Sequence, residues 1–193
     1  SEATGVKAHF GLLSCGASVE LIRAAKAKGL PVTADVAMHQ LHLTEQLIDG
    51  FNSLAHVRPP LRSEQDKELL RQGLKQGVID AICTHHEPLS SSAKMAPFAE
   101  TQPGITAFDT YVALGIQLIN EGLFEPLEWV TKVTSAPAQV ANMTARWQAE
   151  AGWVLVDPEL SWTVSKDTIL SQGKNTPLLG QKLTGKVLQT FAV

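Results

Sequence analysis

The spacing of hydrophobic and polar positions changes along this chain. Residues 6–13, VKAHFGLL, form an apolar run of strand length that Ser14-Cys15-Gly16 breaks. Residues 17–28 are amphipathic: Val19, Ile22 and Ala25 share a helical face, with Glu20, Arg23 and Lys26 elsewhere. Gly29 stops that helix and Pro31 follows, as expected beyond a helix end. A second strand is predicted over 31–36. Thr44 stands where an N-cap would open a short helix over 45–48. Ser63, with Asp66 three residues on, opens a helix that runs to Gln76, and Gly77 ends it. Its capping box is imperfect because Asp is shorter than the usual Glu.

Residues 78–84, VIDAICT, are nearly all apolar, the mark of a strand covered on both faces. Residues 87–103 hold three prolines and four serines or threonines, which predicts a long loop of the kind that often carries function. Helices are expected over 105–120, over 127–133 with Pro126 in the first turn, and over 138–147 with Pro137 in the same role. The helical period does not return after that. Short strands are predicted over 153–157, 162–164 and 186–191. Residues 1–150 therefore read as a parallel α/β unit, and residues 151–193 as a small β appendage. Three parallel strands cannot close a barrel that needs eight. Either the sheet is small and open, or the first strands lie on another piece of chain. The opening Ser1-Glu2-Ala3-Thr4-Gly5, neither a signal peptide nor an initiator Met, favours the second.

Composition narrows the function classes. The 193 residues are 44% hydrophobic and 18% charged, ordinary for a soluble globular protein. A net charge of -3 gives no basic footprint for nucleic acid. No apolar run reaches the ~18 residues of a membrane span. Cys15 and Cys83 lack CxxC spacing and sit in apolar, strand-like surroundings, so they are expected to be reduced core thiols of a cytoplasmic protein.

Barrel chemistry sits at the C-terminal ends of strands. The three predicted strands end near Leu12-Leu13-Ser14 (with His9 earlier), at Met38-His39-Gln40, and at Thr84-His85-His86-Glu87. His39, His85, His86 and Glu87 have the ligand chemistry for zinc, although spacing alone is weak support and a solvated histidine is the commoner case. His85-His86 lacks an oriented nucleophile, and Ser90-Ser91-Ser92 reads as loop. Arg58 and Arg62 flank Pro59-Pro60 and could clamp an anion, although surface arginines beside a proline turn are more frequent. Trp129, Trp147, Trp153 and Trp162 read as core or interface residues.

Three segments carry a family resemblance: GLPVTADVAMHQLHLT (29–44), HVRPPLRSEQDKELLRQGLKQGVIDAICTHHEP (56–88) and ILSQGKNTPLLGQKLTGKV (169–187). Together they resemble the later part of a bacterial dihydroorotase, a member of the amidohydrolase superfamily. The resemblance implies the later part of a TIM-type (β/α)8 barrel over residues 1–150 and part of a composite β domain over 151–193. Family members use zinc to close carbamoyl aspartate into dihydroorotate during pyrimidine synthesis.

The departures from the family pattern bear on activity. By resemblance, Leu12 stands where the family has a ligand histidine, and leucine cannot bind zinc. His39 keeps a ligand position, but Met38 and Gln40 replace its neighbours. Arg58 fills the place of an asparagine that contacts the pyrimidine ring, and Leu89 that of a substrate-binding histidine. His85 replaces the aspartate that holds metal and shuttles the proton. The family's early H-x-H ligand pair would lie before Ser1. A metal-bound water needs both its cation and a base, and losing one member of a cooperating set costs several orders of magnitude in rate. The resemblance thus points to the inactive dihydroorotase-like chains of bacteria such as pseudomonads. It implies no catalytic residue, no cofactor, and a cytoplasmic homo-oligomer that partners the aspartate transcarbamoylase catalytic chain. Two alternatives stay open. One is an active zinc-dependent amidohydrolase with altered ligands, and the other is a small-molecule sensor with Arg58 on an anion.

Overall fold

In a computed structural model of the chain, residues 2–146 and 152–192 are described. Strand β1 (Ala8–Phe10) leads into helix α1 (Gly16–Ala27), strand β2 (Val32–Ala37), helix α2 (Glu64–Lys75) and strand β3 (Ala81–Cys83). Helices α3 (Phe108–Asn120), α4 (Pro126–Val133) and α5 (Ser135–Val140) follow, and strands β4 (Trp153–Thr163) and β5 (Lys182–Phe191) close the described chain. The first three strands are parallel in the order β1-β2-β3, with Ala8 opposite Val32 and Asp35 opposite Ala81. This is the α/β architecture the sequence predicts, and its sheet is open.

The predicted strands are trimmed in the structure because the backbone finds other partners. Leu12 takes a left-handed φ of 60°, which ends β1 well before residue 13. The N–H groups of Val78 and Ile79 return to the Gly73 carbonyl at the end of α2, so β3 starts only at Ala81. Residues 105–107 are likewise not helical. Ile105 accepts from Glu87 N–H at 2.8 Å and Thr106 N–H donates to the Asn175 carbonyl at 3.0 Å, so α3 begins at Phe108.

Helix ends follow the sequence in part. Ser63 Oγ accepts Asp66 N–H at 3.1 Å and caps α2 as expected. The Asp66 carboxylate also accepts the Gly16 N–H at 2.9 Å, tying the start of α1 to the start of α2. Thr44 makes no side-chain cap, and Glu45–Ile48 is a single 3-10 turn. The sequence reading missed the Glu125/Glu128 capping box that opens α4. Helix α5 runs over Ser135–Val140 rather than 138–147. The chain turns out of it at Asn142, with φ 57°, and Trp147 lies outside the described residues.

The three short strands expected in the tail are two long antiparallel ones. Pro158, which has no N–H to give, falls in a register shift between Asp157 and Ser161, so β4 continues across it. The proposed boundary at residues 150 and 151 lies outside the described residues. Across it the core is continuous: Val164, Ile169, Leu178 and Leu183 join one cluster with Ala34, Val36, Leu74, Ile79, Ile82 and Leu118. Each fully buried aliphatic side chain contributes about 1.5–3 kcal/mol.

Cys15 and Cys83 are free and half-buried. Of the tryptophans, Trp129 packs on the core, and Trp162 is half-buried with Nε1 donating to Gly185 O at 2.9 Å. Trp153 is exposed. Among the described residues no helix is long and apolar enough to cross a membrane.

Helix α3 meets α4 closely at Gly115, where an added Cβ would stand 2.2 Å from Trp129 Cε2. Gly115→Ala is therefore expected to destabilise the fold by about 1–3 kcal/mol, because the indole must shift. Urea unfolding of the two proteins measures this. An unchanged midpoint would mean that Trp129 is not packed against α3.

Candidate functional site

The candidate residues gather where the parallel strands end, and Asp35 on β2 holds that end together. Its Oδ1 accepts the Leu12 N–H at 2.8 Å and the Cys83 thiol at 3.4 Å. Its Oδ2 lies 2.8 Å from His9 Nε2, while His9 Nδ1 lies 2.9 Å from Thr33 Oγ1. One carboxylate thus links all three strands. Burial, reinforced by the Asp35 charge, pushes the Cys83 thiol well above its ordinary range, which keeps it protonated and non-nucleophilic. The sequence held a signal for Asp35 that was not used: Thr33 and Asp35 alternate with the apolar Val32, Ala34 and Val36, placing both polar groups on one sheet face.

β2 runs into a 3-10 turn, Met38–Leu41, that is buried throughout. His39 is only 2% exposed, and neither of its ring nitrogens has a hydrogen-bond partner. Across from it stands His85, held at φ 45° just after β3, with ring centroids 5.6 Å apart and planes inclined by 26°. His85 Nδ1 is also buried without a partner, and its Nε2 lies 3.6 Å from Glu87 Oε1. Burial, and then the neighbouring His85, lowers the His39 pKa to about 3. Three residues on, burial and Arg71 lower the His42 pKa to about 4. Both rings are neutral at physiological pH.

His86 does a different job from His85. Its Nδ1 accepts the N–H groups of Ala107 and Phe108, both at 3.1 Å, and its ring stacks on Phe108 at 4.2 Å. It caps the start of α3, and burial lowers its pKa, which keeps the accepting nitrogen free. Tyr111, which the sequence reading missed, ties α3 to β3 by donating to Ile82 O at 2.8 Å. Arg58 is exposed and joined to Pro59 by a cis peptide bond, while Arg62 faces Asp66 at 3.8 Å. Leu89 donates its N–H to Asn175 Oδ1 at 2.7 Å, and Ser91–Lys94 is a 3-10 turn within the long loop.

The structure thus brings His39 and His85 together, with Glu87 at the edge, and sends His86 and Arg58 elsewhere. Two imidazoles with unpartnered nitrogens are a partial ligand set. A catalytic zinc takes three protein ligands. Among the described residues no three His, Cys, Asp or Glu side chains come together to hold a metal ion. The side chains described here do not by themselves fit a catalytic zinc.

No family model matches the chain. Curated proteins do. The chain is 42% identical to a dihydroorotase-like protein of Pseudomonas aeruginosa, across 98% of this chain and 45% of that protein. A dihydroorotase-like protein of Pseudomonas putida is 40% identical over the same shares, and a dihydroorotase of Syntrophus aciditrophicus is 37% identical over 99% and 46%. The chain is similar to part of these dihydroorotase-like proteins and dihydroorotases. It spans less than half the length of these relatives. Solved structures agree on the fold. A D-hydantoinase from Thermus sp. superposes with a TM-score of 0.87 at 23% identity, over 96% of this chain and 43% of that one. The inactive dihydroorotase-like domain of the Chaetomium thermophilum CAD-like multifunctional protein superposes with a TM-score of 0.72 at 19% identity, over 98% and 50%. The chain therefore has an α/β fold of the TIM-barrel type shared with part of those structures, and its antiparallel β4–β5 pair packs on α3.

The buried histidines predict a pH dependence. His39 and His42 have native pKa values of about 3 and 4, below the ordinary histidine value of 6.5. Below that value the unfolded chain takes up protons that the native rings refuse, so stability is lost as pH falls. The loss approaches about 1.4 kcal/mol per pH unit for each ring. Urea unfolding at pH 7.0 and 5.5 measures the slope, to which the lowered His56 and His86 also add, and His39→Gln is expected to reduce it by one ring's share. A slope unaffected by that substitution would mean that the ring is solvated.

Proposed function

We propose that this chain belongs to a non-catalytic dihydroorotase-like protein that assembles with aspartate transcarbamoylase and stabilises it in pyrimidine biosynthesis. The observation that carries the reading is the His39–His85 pair. By the family resemblance, His85 occupies the place of the aspartate that holds metal and moves the proton. Here that place holds an imidazole stacked on a second, neutral imidazole. An imidazole brings no negative charge, so it cannot balance a cation as a carboxylate does. On the same reading Leu12 stands for a ligand, and its half-buried apolar side chain has no lone pair to offer. Arg58 and Leu89 stand for groups that would contact substrate. Arg58 is exposed and the Leu89 side chain is apolar, so neither offers the group that the family uses there. Loss of ligand, base and substrate contacts leaves the barrel a scaffold. The likeness to relatives named dihydroorotase-like, and to a solved domain described as inactive, supports this reading. The whole protein would act in the cytoplasm as a homo-oligomer with the transcarbamoylase catalytic chain as its partner, and with no cofactor.

One observation favours a second reading, an active zinc-dependent cyclic amidohydrolase with altered ligands. His39 and His85 keep three buried ring nitrogens without partners, which is how unoccupied ligands look. Metal content of the full-length protein, purified without chelator or added zinc, separates the two. The scaffold reading expects less than about a tenth of an equivalent of metal. It also expects His85→Ala to leave co-purification with aspartate transcarbamoylase unchanged. A full equivalent that is lost in His39→Ala, together with cyclic-amide hydrolysis, would establish the enzyme instead.

A further inference from the structure

Away from the histidine pair, the loop over residues 87–103 and the segment over residues 166–179 enclose a cavity of about 460 Å³, which suits a small organic molecule. Its wall is built rather than accidental. Asn175, 3% exposed, accepts the Leu89 N–H at 2.7 Å and donates to Glu87 O at 3.0 Å, clamping the two segments together. Gly173 lets them approach: an added Cβ there would stand 2.4 Å from Leu89 N. On the third side, Ser53 Oγ donates to Lys94 O at 2.8 Å.

The charges on this wall are all of one sign. Lys94, Lys166 and Lys174 line it, no aspartate or glutamate does, and none of the three lysines has an ion-pair partner among the described residues. Lys94 is only 7% exposed. Its ammonium donates to His56 O at 3.0 Å and Gln102 O at 2.7 Å, which leaves one of its three protons unused. Lys174 donates to Ile169 O and keeps two. A buried cation is costly, and burial holds the Lys94 pKa below its ordinary value against the nearby Glu87 charge, which raises it. Apolar side chains of Leu54, Leu89 and Leu179 make up much of the remaining surface.

We propose that this cavity binds a small organic anion, a carboxylate or phosphate group on an apolar body, with the lysines facing the anionic group and the leucines the body. The proposal does not need the scaffold reading: the cavity shares Leu89 with that argument, but a scaffold and an enzyme would carry the same lysine wall. The ligand would add negative charge on the side where the wall carries only lysines, and both anionic groups pair with ammonium through charge-assisted hydrogen bonds.

Calorimetric titration of the full-length protein tests this, with benzoate and phenyl phosphate as probes and benzyl alcohol as the neutral control. The expected result is saturable binding of one or both anions but not the alcohol. Affinity should fall about tenfold or more in Lys166→Met and in Lys174→Met, the loss of one charge-assisted contact. Lys166→Met should keep the parent's unfolding midpoint in the absence of probe, because Lys166 is exposed, whereas Lys174→Met loses the hydrogen bond to Ile169 O and is read against its own midpoint. A variant that loses that midpoint is replaced by Lys166→Gln or Lys174→Gln. Binding of benzoate alone or phenyl phosphate alone would identify the anionic group. Absence of saturable binding, equal binding of the alcohol, or affinity unaffected in both lysine variants would overturn the proposal.

Discussion

The arrangement of this site depends on the Asp35 carboxylate. Parallel strands are joined only by slanted backbone hydrogen bonds, and here β1 and β3 are each three residues long. Asp35 adds side-chain links in both directions, to Leu12 N–H and the His9 ring on one side and to the Cys83 thiol on the other. Asp80 does the corresponding work at the opposite end of β2. It accepts the Ala34 N–H at 2.8 Å while held by Lys26 at 2.8 Å. The strand ends are therefore fixed from two directions, and the residues that follow them are delivered to set places. The left-handed backbone at Leu12 and at His85 is sustained by this framework.

What the framework delivers is an electrostatically quiet centre. His39 is buried and neutral, His85 stacks on it, and the neighbouring Cys83 thiol is held protonated. In amidohydrolase chemistry a cation and a carboxylate would work against each other at such a place, one lowering the pKa of water and the other taking its proton. Two facing imidazoles do not supply that pairing of cation and carboxylate. Charge is instead concentrated elsewhere, on the lysines between the long loop and the segment over residues 166–179.

Much of this was legible in the sequence because it depends on periodicity and on punctuation. The alternation of apolar runs with amphipathic stretches gave the β1-α1-β2-α2-β3 order, and Gly29, Ser63 and Pro126 marked helix ends where the structure has them. The resemblance singled out His39 and His85, and the fold brings those two rings together. Other features left no local signal. Val78 and Ile79 read as strand, yet their N–H groups belong to the end of α2. Ile105–Ala107 read as helix, yet loop contacts across almost seventy residues claim them. Pro158 read as the end of a strand, and a register shift lets β4 pass it.

The sequence by itself determined the fold class, the order of elements and the chemical identity of the groups at the strand ends, because period, turn residues and side-chain type are local properties. Only the tertiary structure decided which of those groups meet. His85 and His86 are adjacent in sequence, but one faces His39 and the other caps α3. A left-handed residue at position 85 turns successive side chains apart, and nothing in the residue types foretells that turn. The lysine-lined cavity has the same origin. Lys94 and Lys174 are eighty residues apart in the chain, and Asn175 brings their segments together.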